Sequence, residues 1–144
     1  HSFPTRRSSD LLSSNREYVF FDEPILGLDA NHRELFYEEL LSSFSPDRCF
    51  VVATHLIEEI SPLVDKVIII DKGRLLKEED KDTLLSSIRM VTGDRDRVEK
   101  AIEGKKVLSV SHILGQEKAM VEDGISVENV DLQRYFVEIT KDGE

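Results

Sequence analysis

Three short apolar runs divide the first half of the chain. Residues 17–22, 49–54 and 66–71 are rich in Val, Ile and Phe and alternate little between apolar and polar positions. Runs of this length and composition are typical of strands that are covered on both faces in a parallel sheet. The pattern therefore predicts three buried strands, with Cys49 as a small core residue at the start of the second.

Two amphipathic segments separate these runs. Residues 30–44 predict a helix with Asn31 as its N-cap. The expected buried side of this helix consists of Leu35, Phe36, Leu40 and Phe44. Residues 56–65 predict a shorter helix that Pro62 interrupts. The alternation of strands and helices indicates an α/β layered domain with right-handed crossovers.

Acidic residues and a histidine come at the ends of the first two strands. Asp22 and Glu23 end the first run, and Thr54 and His55 end the second. Ligand sites in open α/β sheets gather at the carboxyl ends of the strands, so we expect these four side chains on one rim. One carboxylate there can hold Mg²⁺ through retained waters, another can polarise an attacking water, and a histidine can bind a terminal phosphate. The pattern is thus typical of phosphate chemistry.

Each of these residues also has a purely structural interpretation. Paired acids after a strand often begin a turn or a helix, and a lone histidine at a strand end is commonly a surface residue. Asp29 can cap the following helix, with Gly27 relieving the turn before it. Taken singly, the residues leave both interpretations open, and only their order and spacing together favour the phosphate site.

The chain is strongly acidic. Its 144 residues include 29 Asp and Glu against 19 Lys and Arg, which gives a formal net charge of −10. This balance opposes binding to nucleic acid or to an anionic membrane, because both partners need a positive protein face. No apolar stretch approaches the roughly 18 residues that span a bilayer, so we expect no direct membrane insertion and any membrane link to pass through a partner.

The pattern changes beyond Leu76. Residues 77–87 predict a charged, solvated linker followed by a short helix. Residues 88–144 predict a small α+β accessory domain with the order strand, helix, strand, strand and a final helix. The apolar side of that final helix, which either packs in the core or binds a partner, consists of Leu132, Tyr135, Phe136 and Ile139. His112 stands alone in this part, with no Cys or second His near it in the sequence.

Residues 12–76 resemble part of the nucleotide-binding domain of ATP-binding cassette (ABC) ATPases. The stretch "YVFFDEP" is similar to their Walker B strand with its catalytic glutamate, "LGLDA" to the D-loop, and "VVATHLIEEI" to the H-loop and its helix. "DKVIIIDKGRLL" resembles the strand pair that closes this half of the domain. The resemblance implies the fold class α/β, with the C-terminal half of a P-loop NTPase layered sheet domain before the accessory domain.

The resemblance also implies a role for each residue of the rim. Asp22 would bind Mg²⁺ through water, Glu23 would act on the hydrolytic water, and His55 would contact the γ-phosphate of ATP. Asp29 would lie at the interface with a second ATPase subunit, identical or different. Before it, Leu26 and Gly27 stand where many members of the family carry a Ser followed by a small residue, a departure that concerns the hydrogen bonds across that interface.

The function that the resemblance implies is ATP hydrolysis that powers an ABC transporter. Such a subunit would act through a separate integral membrane permease and lie at the cytoplasmic face of the membrane. Residues 128–136 are similar to the closing helix of an extension in bacterial ABC exporter subunits, which favours an exporter. The alternative is a non-catalytic regulatory or dimerisation module that retains the ATPase motifs.

Two motifs that precede Walker B in this family are not found in the sequence. It contains no G-x-x-x-x-G-K-[ST] phosphate loop and no LSGGQ-like signature. Residues 1–11 resemble a translated sequencing adapter, so we expect that they are not native and that the motifs are lost by truncation. Without phosphate-binding amides and a Lys, we expect the chain alone to be inactive as an ATPase, although its parent would hydrolyse ATP.

Overall fold

The structure is a computed structural model that describes residues 10–123 and 130–141. The chain forms two compact units, one ending at Glu59 and the other beginning at Ile60. Residues 1–9 of the segment that resembles an adapter, and residues 128 and 129 of the stretch 128–136 that resembles an exporter helix, lie outside the described residues. None of the helices within the described ranges has the length and hydropathy of a bilayer-spanning segment.

The first unit is a strand, helix, strand motif. It consists of β1 (Tyr18–Asp22), α1 (Ala30–Ser43) and β2 (Cys49–Ala53), and α2 (Ile57–Ile60) begins at its end. β1 and β2 pair in parallel along their whole length, so that their carboxyl ends coincide at Asp22 and Ala53. The two predicted strands, the helix between them and their parallel direction are confirmed.

The expected burial of β1 on both faces is wrong. Val19 and Phe21 are buried, whereas Tyr18 is 66% and Phe20 is 70% exposed. Phe21 contacts Phe36 of α1 edge to face, with ring centroids 5.7 Å apart, so α1 covers one face of the strand pair. A sheet face is buried only where another layer packs on it. Cys49 pairs with Tyr18 in register and is also exposed, so it is not the core residue that the sequence predicts.

The N-cap of helix α1 lies two residues before the predicted one. Asp29, not Asn31, is the N-cap: its backbone is extended and its carboxylate accepts a hydrogen bond from the His32 N–H. Asn31 already lies inside the first turn and therefore cannot cap it. On the apolar side only Phe36 and Leu40 are buried; the other two predicted residues, Leu35 and Phe44, are exposed.

The guanidinium of Arg48 holds the start of the described chain against the end of α1. Its nitrogens donate to the carbonyls of Leu12, Ser14, Arg16 and Ser43 at 2.8–3.0 Å. The guanidinium carbon also lies 4.8 Å from the ring centroid of Phe50. Such a set of bonds needs the planar, forked donor geometry that Arg has and Lys lacks.

We expect Arg48→Lys to destabilise the first unit by about 2 kcal/mol, because one ammonium cannot reach the four carbonyls and leaves several unpaired. The measurement is urea unfolding followed by circular dichroism. Arg95→Lys is the matched control, since Arg95 is 76% exposed and its guanidinium forms a surface ion pair with Glu99. Its effect should stay within about 0.5 kcal/mol, and an equal loss in both variants would contradict the role given to Arg48.

The second unit begins as a hairpin and continues as a small sheet with helices. A 3-10 turn at Ser61–Leu63 contains Pro62, as the predicted interruption requires. The remaining elements are β3 (Lys66–Asp71), β4 (Arg74–Asp80), α3 (Lys81–Ser87), β5 (Ile88–Gly93), α4 (Arg95–Ile102), β6 (Lys106–Ile113), β7 (Gln116–Glu122) and α5 (Leu132–Thr140). The third apolar run is a strand, as predicted.

Two expectations for this hairpin are wrong. β3 pairs antiparallel with β4 and not as a parallel strand, and residues 77–80 belong to β4 instead of a linker. The acidic side chains fit a strand because the hairpin is open to solvent: Glu78 is about half exposed and its carboxylate lies 2.7 Å from the Lys66 ammonium. A cross-strand pair of this kind favours the ladder. The domain boundaries predicted at residues 76 and 87 stay predictions.

The predicted accessory part has the expected order of elements. β5, β7 and β6 form an antiparallel sheet in that spatial order, and α4 packs on it through a core of Val91, Val98, Ala119 and Val121. In α5, Leu132 and Tyr135 are buried, which supports core packing for its apolar side. The Glu138 carboxylate on the same helix is also buried and accepts a hydrogen bond from Ser109 of β6 at 2.8 Å.

Candidate functional site

A sharp turn directly after β1 sets the position of Glu23. Its backbone is left-handed, with φ +44°, a conformation that costs energy for any residue other than Gly. The Glu23 N–H donates to the Ala53 carbonyl at 2.8 Å, which ties the turn to the end of β2. Gly27 closes the same loop with φ +76°, where a side chain would be strained.

The Glu23 carboxylate is held by two residues that follow β2. Thr54 Oγ1 donates to Glu23 Oε2 at 2.7 Å, and the His55 N–H donates to Glu23 Oε1 at 3.1 Å. His55 Nδ1 lies 2.5 Å from the same Oε1. The structure therefore brings Glu23, Thr54 and His55 together, as the shared strand ends predict.

The hydrogen bonds leave the two carboxylate oxygens in different states. Each oxygen offers about two lone-pair sites. Oε1 has both of its sites taken by His55. Oε2 has one site taken by Thr54, and no other donor among residues 10–123 and 130–141 occupies its second site, which can accept from a water molecule. The bond from Thr54, together with those from His55, lowers the pKa of Glu23, so the group is a carboxylate at neutral pH.

Asp22 precedes Glu23 in the sequence but does not take part in the hydrogen bonds that join Glu23, Thr54 and His55. Its side chain is exposed at the end of β1, with no side-chain partner among residues 10–123 and 130–141. Within those ranges no three His, Cys, Asp or Glu side chains are placed to share a metal ion. A single free carboxylate nevertheless fits Mg²⁺, which commonly takes one or two protein carboxylates and completes its shell with waters and substrate phosphates.

Asp29 is not part of the Glu23 cluster. It caps α1, and its carboxylate oxygen lies 2.9 Å from the His32 nitrogen and 2.8 Å from His32 Nδ1. The hydrogen bond from the His32 backbone N–H is the main cause that lowers the pKa of Asp29, and the contact with the His32 side chain adds to it. The capping interpretation of Asp29 is confirmed, and its place at a subunit interface stays a prediction, as do the roles of Asp22, Glu23 and His55.

Sequence reasoning missed two partners of these residues. The sequence places Thr54 at the predicted rim but indicates no function for it. In the structure, Thr54 makes the hydrogen bond that most lowers the pKa of Glu23. His32 was overlooked, although an imidazole three residues after an N-cap can reach the cap carboxylate. In the second unit, His112 pairs with Glu117 at 2.6 Å across the β6–β7 hairpin, a contact that the alternation of strand residues could have indicated.

The comparisons with known proteins agree with the resemblance in the sequence. No protein-family model matches the chain. It is 35% identical over 66 residues to the energy-coupling factor transporter ATP-binding protein EcfA2 of Mycoplasmoides gallisepticum, over 46% of this chain and 21% of that protein. It is 32% identical over 76 residues to the Nod factor export ATP-binding protein I of Burkholderia orbicola, over 53% of this chain and 25% of that protein.

A third relative matches along most of the chain. The daunorubicin resistance ATP-binding protein DrrA3 of Streptomyces coeruleorubidus is 26% identical over 169 aligned positions, covering 95% of this chain and 53% of that protein. The chain thus spans between about a fifth and a half of the length of these curated relatives. All three are named as ATP-binding proteins, one of an energy-coupling factor transporter, one for Nod factor export and one for daunorubicin resistance.

Proposed function

We propose that the first unit supplies the metal-binding and water-activating side of an ATPase site in the nucleotide-binding subunit of an ABC transporter. The observation that carries this proposal is the Glu23 carboxylate, held by Thr54 and His55 at the carboxyl ends of parallel strands and directly after Asp22. Relatives that are named as ATP-binding proteins of transport systems support it.

In this proposal Asp22, Glu23 and His55 each have a separate role in ATP hydrolysis. Asp22 holds Mg²⁺, which when bound offsets the negative charge of the ATP phosphates. Glu23 accepts a hydrogen bond from the attacking water on the lone pair of Oε2 that Thr54 leaves open. Because His55 Nδ1 faces Glu23, its Nε2 is the ring atom that remains for the γ-phosphate, to which it donates when both ring nitrogens carry a proton.

The proposal extends to partners that this chain does not contain. Asp29 and its loop would meet a second ATPase subunit, and the pair would drive an integral membrane permease from the cytoplasmic face of the membrane. Two of the relatives are named for Nod factor export and for daunorubicin resistance, which favours an exporter over an importer. The phosphates of ATP would be held mainly by a phosphate loop, which the sequence of this chain does not include.

We therefore expect the purified chain to show no ATP turnover above background in the presence of Mg²⁺. Phosphate release is the measurement, with Glu23→Gln as the control that separates chain activity from a contaminating ATPase. Turnover that disappears in Glu23→Gln would contradict this expectation.

A chimera tests the proposed function itself. Residues 18–59 of this chain replace the aligned segment of DrrA3, the relative whose match extends along most of the chain. We expect Mg²⁺-dependent ATP turnover within about tenfold of the unmodified relative, because the catalytic groups would be supplied by the inserted segment. A folded chimera that binds ATP without turning it over would favour the regulatory or dimerisation module instead.

A further inference from the structure

We propose that Thr54 is a positioning residue that fixes the orientation of the Glu23 carboxylate. Glu23 has three rotatable side-chain bonds and is only partly buried, so the turn after β1 cannot by itself hold its carboxylate in one orientation. The hydroxyl of Thr54 reaches Oε2 at 2.7 Å, on the carboxylate oxygen opposite to the one that faces His55.

The Thr54 hydroxyl is itself oriented by the backbone. Its oxygen accepts a hydrogen bond from the Leu56 N–H at 3.0 Å, immediately before α2 begins. A hydroxyl has one proton to donate, so a lone pair committed to Leu56 directs that proton toward Glu23. Two consecutive hydrogen bonds therefore link the start of α2 to the carboxylate: the Leu56 N–H donates to Thr54 Oγ1, and Thr54 Oγ1 donates to Glu23 Oε2.

This arrangement has a consequence for the proposed chemistry. With Oε2 bound by Thr54 and Oε1 by His55, rotation of the carboxylate is restrained, so the lone pair of Oε2 that no described residue occupies keeps its direction. A general base acts efficiently only when its accepting atom is held within hydrogen-bond reach of the water. That catalytic consequence rests on the proposed ATPase function, whereas the positioning of Glu23 by Thr54 does not.

Amide hydrogen exchange in the purified, ¹⁵N-labelled chain tests the positioning. The His55 amide reports on Glu23, because it donates to Oε1 only while the carboxylate stays in place. We expect Thr54→Val, which keeps the shape and removes the hydroxyl, to speed His55 amide exchange roughly three- to tenfold. Thr54→Ser restores the hydroxyl and should exchange within about twofold of the wild type.

Thr92→Val is the matched control, since Thr92 lies in β5 of the second unit and the same substitution there should leave the His55 amide unchanged. Urea unfolding of each variant separates a local change from a loss of global stability. Unchanged His55 exchange in Thr54→Val would overturn the proposal, and so would Thr54→Ser that behaves like Thr54→Val.

A reciprocal variant decides the matter if Thr54→Val does not fold. In Glu23→Ala the hydroxyl loses its acceptor, so the Leu56 amide that donates to Thr54 should exchange roughly threefold faster. Unchanged Leu56 exchange would show that the two residues are not coupled and would overturn the proposal. No ATP enters these measurements, so their failure is distinguishable from an inactive chimera, which bears on the proposed function alone.

Discussion

Glu23→Gln in the DrrA3 chimera is expected to lower ATP turnover roughly 10²- to 10⁴-fold, with little change in the affinity for ATP. Gln has nearly the shape of Glu and can still accept from Thr54 through its carbonyl oxygen. It carries no negative charge, however, and cannot take a proton from the attacking water. The change therefore removes the base while it keeps most of the local packing.

The measurements are turnover under saturating Mg²⁺ and ATP, and nucleotide binding in the same variant. Glu17→Gln, introduced with the segment extended by one residue, is the matched control, because Glu17 is an exposed carboxylate just before β1. We expect this control to keep at least about half of the turnover, since it does not contact the cluster. Equal losses in the two variants would contradict a specific role for Glu23.

The pH dependence follows from the geometry around Glu23. The hydrogen bonds of Thr54 and His55 favour the ionised carboxylate and lower its pKa below the ordinary value for a glutamate. The base is therefore competent above that lowered pKa and is lost only as the pH falls through it. We expect the acidic limb of turnover that belongs to Glu23 to lie below the range of an ordinary glutamate side chain.

The order of elements could be predicted because each one depends on local sequence. The apolar runs around Phe21, Val51 and Ile69 are too short for helices and too rich in branched and aromatic residues for loops, and all three are strands. The convergence of Glu23 and His55 followed from a general rule about parallel strand ends, which needs only the order of β1 and β2.

Burial and pairing could not be predicted in the same way, because they depend on neighbouring layers. Phe20 and Phe21 are chemically identical neighbours, yet one is 70% and the other 5% exposed, since only one face of β1 meets α1. The run at residues 66–71 has the composition of a parallel strand but pairs antiparallel with β4. The resemblance implies a strand pair that ends at Leu76, whereas β4 continues through the charged residues 77–80, which the sequence predicts as a linker. The composition of a segment indicates that it can form a strand, whereas the neighbouring strand determines whether the two pair in parallel or antiparallel.

The details of the candidate site were hidden for a similar reason. The sequence places Thr54 next to His55 but gives no sign that its hydroxyl would select Glu23 rather than solvent. That choice depends on the left-handed turn at Glu23, an unfavourable conformation for a residue before proline. Local strain of this kind is visible only in three dimensions, and here it lies at the residue with the proposed chemical role.

Phe36→Ala is expected to destabilise the first unit by about 3–5 kcal/mol, which is a large part of the stability of so small a unit. Phe36 is 3% exposed and packs edge to face against Phe21, with ring centroids 5.7 Å apart. A unit of about 50 residues has roughly 3–7 kcal/mol of stability in total. Losing this one ring would thus remove about half or more of the stability of the unit. Urea unfolding followed through the amides of β1 and β2 is the measurement.

Leu35→Ala is the matched control for Phe36→Ala, because Leu35 is the neighbouring residue on α1 and is 54% exposed. Leu and Ala have similar helix propensities, so the control removes a comparable apolar side chain without weakening the helix itself. We expect it to change the free energy of unfolding by no more than about 0.5 kcal/mol. The periodicity of the sequence placed both residues on the buried side, and only the structure separates them. Similar losses in the two variants would therefore mean that α1 packs on β1 with a different face from the one described.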